Sequence, residues 1–165
     1  MLDITAQALY NSCIIQKKLR QGNMKITSRF TVAVHTLLVI YNFSATKKVT
    51  SDFIAASVQV NPVVIRRTLL SLKAAGMVDV KAGSGGASIV KDMGDITLYD
   101  VYKAVDSMDG DMFHFHENPN PACPVGRNIH AVLDAHLADA QAAMENELKK
   151  VTLLDLTKDL AGKLG

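Results

Sequence analysis

The segment TSDFIAASVQVNPVVIRRTLLSLKAAGMVDVKAGSGGASIVK, residues 50–91, decides the fold of this chain. Thr50 or Ser51 stands where a helix N-cap is needed, ahead of a short helix carrying Phe53, Ile54 and Val58. Val60-Asn61-Pro62 makes a turn, with Asn61 as the next N-cap and Pro62 at the first helical position, where no N–H is required. The helix that follows points Val64 or Ile65, Leu69 and Leu72 at a core and stops at Gly76. Met77–Lys81 and Ser88–Lys91 are β-like runs on either side of Gly83-Ser84-Gly85-Gly86. Three glycines in four residues permit a tight hairpin tip that can approach a phosphate backbone.

Two helices, a turn and a glycine-tipped hairpin, in that order, are the plan of a winged helix-turn-helix, a module that reads a DNA groove. Charge supports the same reading. Residues 24–91 hold 9 Lys/Arg against 2 Asp/Glu, whereas residues 92–165 hold 6 against 13. The overall net charge of +2 therefore conceals a basic half and an acidic half, and such asymmetry points to nucleic acid as a partner of the basic one.

Composition sets the outer limits. A chain of 165 residues with 48% hydrophobic and 21% charged residues is globular and long enough to bury a core. The longest apolar run, Thr31 to Phe43, is interrupted by His35 and Asn42 and is too short to span a bilayer, so no membrane partner is expected. Two cysteines, Cys13 and Cys123, do not make a disulfide framework, and a reducing cytoplasm is the expected setting. Residues 1–23 differ from the rest, with weak helical periodicity and a basic run ending in Arg20-Gln21-Gly22-Asn23. A purine-rich ribosome-binding sequence can encode that run. The expectation is that residues 1–23 are an N-terminal extension of translated leader and that Met24 is the natural start, the rival being a genuine N-terminal helix.

From Ser28 onward Phe30, Val34, Leu37, Leu38 and Tyr41 recur at helical spacing and predict a core-facing helix. Beyond the hairpin, Leu98 to Asp106 predicts another, with Leu98, Val101, Tyr102 and Val105 on one face. Residues 107–126 form a long polar loop of the kind that is usually functional. A long helix from about Val125 to Val151 then carries Ile129, Val132, Leu133, Leu137, Ala140, Met144, Leu148 and Val151 on one stripe, longer than a small domain covers by itself. A partner helix is the simplest cover, which predicts a homodimer with Ile129, Leu133, Leu137, Met144 and Leu148 at the seam. Thr152 caps a final short turn with Leu153, Leu154 and Leu156. The fold class is mainly α with a small β-wing, divided into an extension (1–23), a DNA-binding domain (24–106), a sensor-type loop (107–126) and a dimerisation helix with a C-terminal turn (127–165).

The third helix reads DNA with its first residues and its outward face, so Asn61, Val63, Arg66, Arg67 and Ser71 are the base-reading candidates. Ser51 and the hairpin tip (Gly83, Ser84, Gly85) join the interface. Lys25, Arg29, Lys47, Lys48, Lys73 and Lys81 are expected on phosphates, where they set affinity more than specificity.

These residues also carry a family resemblance. Asn61-Pro62, Ile65-Arg66, Leu69, Leu72, Ala75-Gly76 and Val78, then Gly83-Ser84-Gly85-Gly86, then Ile96-Thr97-Leu98 with Val101-Tyr102 and Ala104-Val105, together resemble the Rrf-two family of bacterial transcription regulators. The resemblance covers residue 24 to about residue 160. It implies a dimeric winged-helix repressor with a long C-terminal dimerisation helix, acting on a double-stranded operator. Two departures stand out. Ala82 occupies the place of a wing arginine, and the loop before the long helix holds only Cys123 where cluster-binding members have three cysteines.

Other chemistries fit these residues less well. The glycine loop joins two strands with no GK[ST] after it, which argues against a phosphate cofactor. Cys123 with His114, His116 and His130 supplies metal-type donors, but their spacing matches no standard site, and neither metal nor cofactor is expected. Cys123 at the start of the long helix, where the helix dipole favours thiolate, is the candidate sensing residue for a redox signal. A packed thiol at the dimer seam and a small-molecule effector near the loop stay open beside it. Asp109 and Asp111 have no partner marking acid/base work, and no nucleophile elbow appears. Arg127 beside Cys123 keeps a thiol enzyme as a distant alternative to the expected non-enzyme. The nearer rival is a winged-helix protein-interaction module without DNA binding.

Overall fold

The computed structural model describes residues 28–81, 86–106, 113 and 116–164. The N-terminal extension with Lys25, the hairpin tip with Ala82, Gly83, Ser84 and Gly85, and Asp109, Asp111 and His114 of the loop lie outside the described residues.

The described residues are mainly α, with a small two-stranded antiparallel sheet. Helix α1 is Ser28–Phe43, α2 Ser51–Val58 and α3 Pro62–Ala74; strands β1, Val78–Lys81, and β2, Gly86–Ile89, follow; α4 is Leu98–Asp106, α5 Pro124–Lys150 and α6 Leu153–Leu164. Leu37, Ile40, Ile54, Ile65, Leu72, Ile96, Val101 and Leu153 are fully buried where α1 to α4 and the start of α6 meet. At about 1.5–3 kcal/mol for each large side chain removed from water, this cluster is the main driving force that holds the helices together.

Several local expectations need correction. In α1 the buried positions are Val32, Ala33, Thr36, Leu37, Val39 and Ile40, while Tyr41 is 45% exposed. The apolar run is broad enough to fit several rotations of the helix, and packing against α3 and α4 selects one. Strand β2 begins at Gly86 rather than Ser88, because Gly86 pairs with Lys81 and the Ala87 N–H donates to Val49 O at 2.8 Å. Gly86 has φ +77, and a Cβ there would lie 2.9 Å from Val49 O, so the hairpin meets the strap before α2 only through a glycine. The C-terminal short turn is in fact the twelve-residue α6.

Helices α4 and α6 start side by side through matching caps. The Thr97 N–H donates to Asp100 Oδ2 at 2.9 Å and the Asp100 N–H to Thr97 Oγ1 at 3.1 Å; Thr152 and Asp155 repeat the arrangement at 3.0 and 3.2 Å. Each is a capping box that answers orphan amides at a helix start. The two threonines also form an antiparallel bridge, flanked by Leu98 N–H to Val151 O (2.9 Å) and Leu153 N–H to Ile96 O (2.8 Å). The far end of α5 is thereby stitched to the core.

Candidate nucleic-acid interface

Helix α2 starts at Thr50, whose Oγ1 accepts from the Phe53 N–H at 3.1 Å. It ends at Gln59, a non-glycine residue in the left-handed region (φ +60), whose N–H returns to Ala55 O. Asn61 Oδ1 then accepts from the Val63 N–H at 2.8 Å, and Pro62 opens α3. That bond engages the Asn61 oxygen in capping the helix. At the other end, the Met77 N–H reaches Leu72 O at 3.0 Å and Gly76 adopts φ +70, the closing pattern of a Schellman motif. Helix α3 is thus fixed at both ends by its own sequence.

Helix α3 buries Ile65, Thr68, Leu69 and Leu72. Of the two alternatives at its inner face, Ile65 is the buried residue and Val64 lies exposed. The opposite face presents Val63, Arg66, Arg67 and Leu70, with Ser71 half-buried at its side. The two arginines differ. Arg66 Nε donates to Ser51 Oγ at 3.3 Å, and its Nη2 lies 3.7 Å from Asp52 Oδ1, so it leans on the start of α2. Arg67 is exposed and has no hydrogen bond or ion pair among the described residues.

The other basic residues divide similarly. Arg29 and Lys48 are exposed, and Lys81 stands exposed at the end of β1. Lys47 lies over the Phe43 and Phe53 rings at 5.6 and 6.0 Å. Lys73 donates to Asp79 at 2.8 Å. That hydrogen bond, followed by the Val80 N–H, holds the Asp79 carboxyl below its ordinary range. Lys73 therefore has its charge answered within the protein, a pairing that side chains six positions apart across a turn do not advertise.

Helix α5 is 27 residues long and buries none of them. Ile129, Leu137, Met144 and Leu148 are half-buried, while Leu133 and Val132 are exposed. Near its end, Lys149 sits 4.4 Å from the Tyr99 ring centroid. Burial, then Glu145, raises the Tyr99 hydroxyl above its ordinary range. Cys123 is the N-cap of α5 and is exposed. The Gly126 and Val125 amides lower its pKa below the ordinary 9.0, although neither closes a side-chain cap bond. His116 and His130 stack at 5.7 Å, and His130 Nδ1 lies 3.2 Å from Asp134 Oδ1. Between α1 and α6 runs an apolar groove of about 680 Å³ lined by Phe30, Val34, Leu38 and Leu160, with the His35–Ser57 pair at its polar edge.

A short helix, a turn and a second helix with an exposed basic outer face, next to a two-stranded wing, define a winged-helix DNA-binding protein. The Rrf2 family model, described as "Iron-dependent Transcriptional regulator", matches residues 26–159. YwnA of Bacillus subtilis (strain 168), named as a candidate HTH-type transcriptional regulator, is 46% identical over 135 residues, covering 82% of this chain and 98% of that protein. A crystal structure titled as a candidate DNA-binding protein shares 42% identity at a TM-score of 0.62, covering 78% of this chain and 97% of the other. That of a candidate transcriptional regulator from Lactobacillus plantarum shares 26% identity at a TM-score of 0.69, covering 81% and 89%. The chain belongs to the Rrf2 family of transcriptional regulators.

The iron in the family description does not find a matching donor set here. The loop before α5 supplies one cysteine, and among the described residues no three His, Cys, Asp or Glu side chains converge on a metal position. Among the same residues, no helix is long and apolar enough to cross a membrane.

Proposed function

We propose that this chain binds a palindromic operator as a symmetric homodimer and represses transcription from it in a bacterial cytoplasm. The observation that carries the proposal is the pairing of an exposed basic face on α3 with a 27-residue helix that fully buries none of its residues. Residues 24–106 hold the DNA-reading unit, 107–126 the sensor-type loop and 127–165 the dimer-forming helix. Val63, Arg66, Arg67 and Ser71 face base edges, with the Asn61 amide beside them. Ser51, Arg29, Lys81, Lys25 and the hairpin tip at Gly83, Ser84 and Gly85 follow the phosphates. Ile129, Leu133, Leu137, Met144 and Leu148 form the seam. Two reading helices then enter major grooves about 34–36 Å apart, one helical turn of DNA.

Cys123 is the point of modulation in this reading. Its thiol is exposed, and the adjacent amides favour the thiolate. A hydroperoxide takes two electrons from that thiolate, giving a sulfenic acid and, with a proton from solvent, an alcohol.

The test is selective capture of genomic fragments by the reduced full chain over a range of salt, repeated after hydroperoxide and after thiol reductant. The expected result is one palindromic fragment whose log affinity falls linearly with log salt. Loss on oxidation and recovery on reduction, both absent in Cys123→Ser, assigns the signal to Cys123 rather than Cys13. Capture indifferent to oxidation retains the repressor and turns attention to the groove between α1 and α6. No selective capture supports the protein-interaction module instead.

A further inference from the structure

The outward face of α3 is not simply basic. Leu70 is 69% exposed there, and Val63, two turns nearer the helix start on the same side, is 46% exposed. Leu70 falls one residue past the buried Leu69 and nearly opposite the stripe of Ile65, Leu69 and Leu72, so it faces away from the core. It borders a groove of about 470 Å³ between the start of α2, α3 and the wing, whose rim carries Ser51, Asp52, Arg66 and Lys81. An isolated exposed leucine needs no explanation. Here, however, a leucine and a valine share one face with Arg66 and Arg67, in the place where base edges pass if the chain binds DNA.

The floor of the major groove offers one apolar group, the C5-methyl of thymine. Asp52 and Ser51 hold Arg66 to one side of Leu70, Arg67 stands free on the other, and Lys81 lies across the groove. Three cations, Arg66, Arg67 and Lys81, against the single rim carboxylate of Asp52 complement phosphates and disfavour a second copy of the same face, so DNA is the occupant it fits. We propose that Leu70 is a specificity-determining residue that recognises a thymine in each half-site by its C5-methyl group, with Val63 as a second apolar contact. The assignment rests on the DNA-binding reading above and deepens it: the operator is selected partly by methyl groups, and Arg66 serves to frame Leu70 as well as to attract DNA.

The experiment uses an operator selected from random DNA by the full chain, with each thymine replaced in turn by uracil, which removes only the C5-methyl. The expected result is one thymine per half-site at which uracil weakens binding about fourfold, the worth of one buried methyl-sized group. In Leu70→Ala, the same replacement is expected to have no effect while the salt dependence stays unchanged. Because Leu70 is exposed, this variant keeps its fold, which its melting temperature verifies. Val63→Ala removes sensitivity at a different thymine. An equal uracil effect in the parent protein and in Leu70→Ala overturns the proposal, since it places the methyl's effect in the shape of the DNA. So does an operator insensitive to uracil at every position; in both cases tight, salt-dependent binding leaves the DNA-binding reading intact. Failure to select any operator removes the reading and the proposal together.

Discussion

Helices α3 and α5 both present a long face to solvent, for opposite reasons. Helix α3 is short, buries its inner stripe completely and turns a mixed face of arginine and small apolar groups outward. Helix α5 is twice as long and fully buries none of its residues, with Ile129, Leu137, Met144 and Leu148 of its apolar stripe half-buried. An outward face on α3 is compatible with a folded monomer, because its hydrophobic account is already closed. The stripe on α5 is only half-covered, and it is the face assigned above to the proposed partner copy. The difference separates what a protein reads with from what it assembles with, and it follows from helix length relative to the core.

The contrast predicts different responses to substitution. The largest is at α5: Leu137→Asp is expected to weaken dimers at least a hundredfold, a loss of about 3 kcal/mol or more, by placing a charge in the apolar seam. Sedimentation of this variant reads the effect directly, and a dimer that survives moves the seam elsewhere. Next is the inner face of α3, where Ile65 is fully buried. Ile65→Ala is expected to cost about 2–5 kcal/mol, seen as a fall in melting temperature that accompanies any loss of DNA binding. The outer face should behave the other way. Arg66→Ala with Arg67→Ala is expected to lower operator affinity by about 1–3 kcal/mol per contact with the melting temperature unchanged. Unaltered binding in the double variant means that another face reads DNA. The smallest effect is at the free end of α5. The Gly126 and Val125 amides favour the charged thiol, so the alkylation rate of Cys123 should rise through a midpoint below 9.0 as pH increases. A midpoint at or above that value shows that these amides do not act on the sulfur.

The reading helix was legible in the sequence because its signals are local. Asn61-Pro62 starts it, Gly76 ends it, and the spacing of Ile65, Leu69 and Leu72 orients it. Leu70 was legible too, as an apolar residue out of phase with that stripe, and charge drew attention to its neighbours instead. Pairings between elements were not legible. Arg66 with Asp52, Lys73 with Asp79 and Gly86 against Val49 depend on how helices, strap and hairpin come together, which no local spacing records. The full length of α6 lies between these cases: Thr152-x-x-Asp155 is a capping-box signature, and it marked a helix where the sequence reading placed a turn. The long apolar stripe before it is the stronger periodic signal and masks this short cap.

The stitched start of α6 has a mechanical consequence. Helix α5 is held at Val151 by the bridged caps and near Lys149 by Tyr99, and its other end carries Cys123. Twenty-seven residues at a rise of about 1.5 Å make an arm of about 40 Å, so each degree of tilt about that post carries the far end about 0.7 Å. Angular strain too small to register at the core becomes a displacement of atomic size at the sulfur.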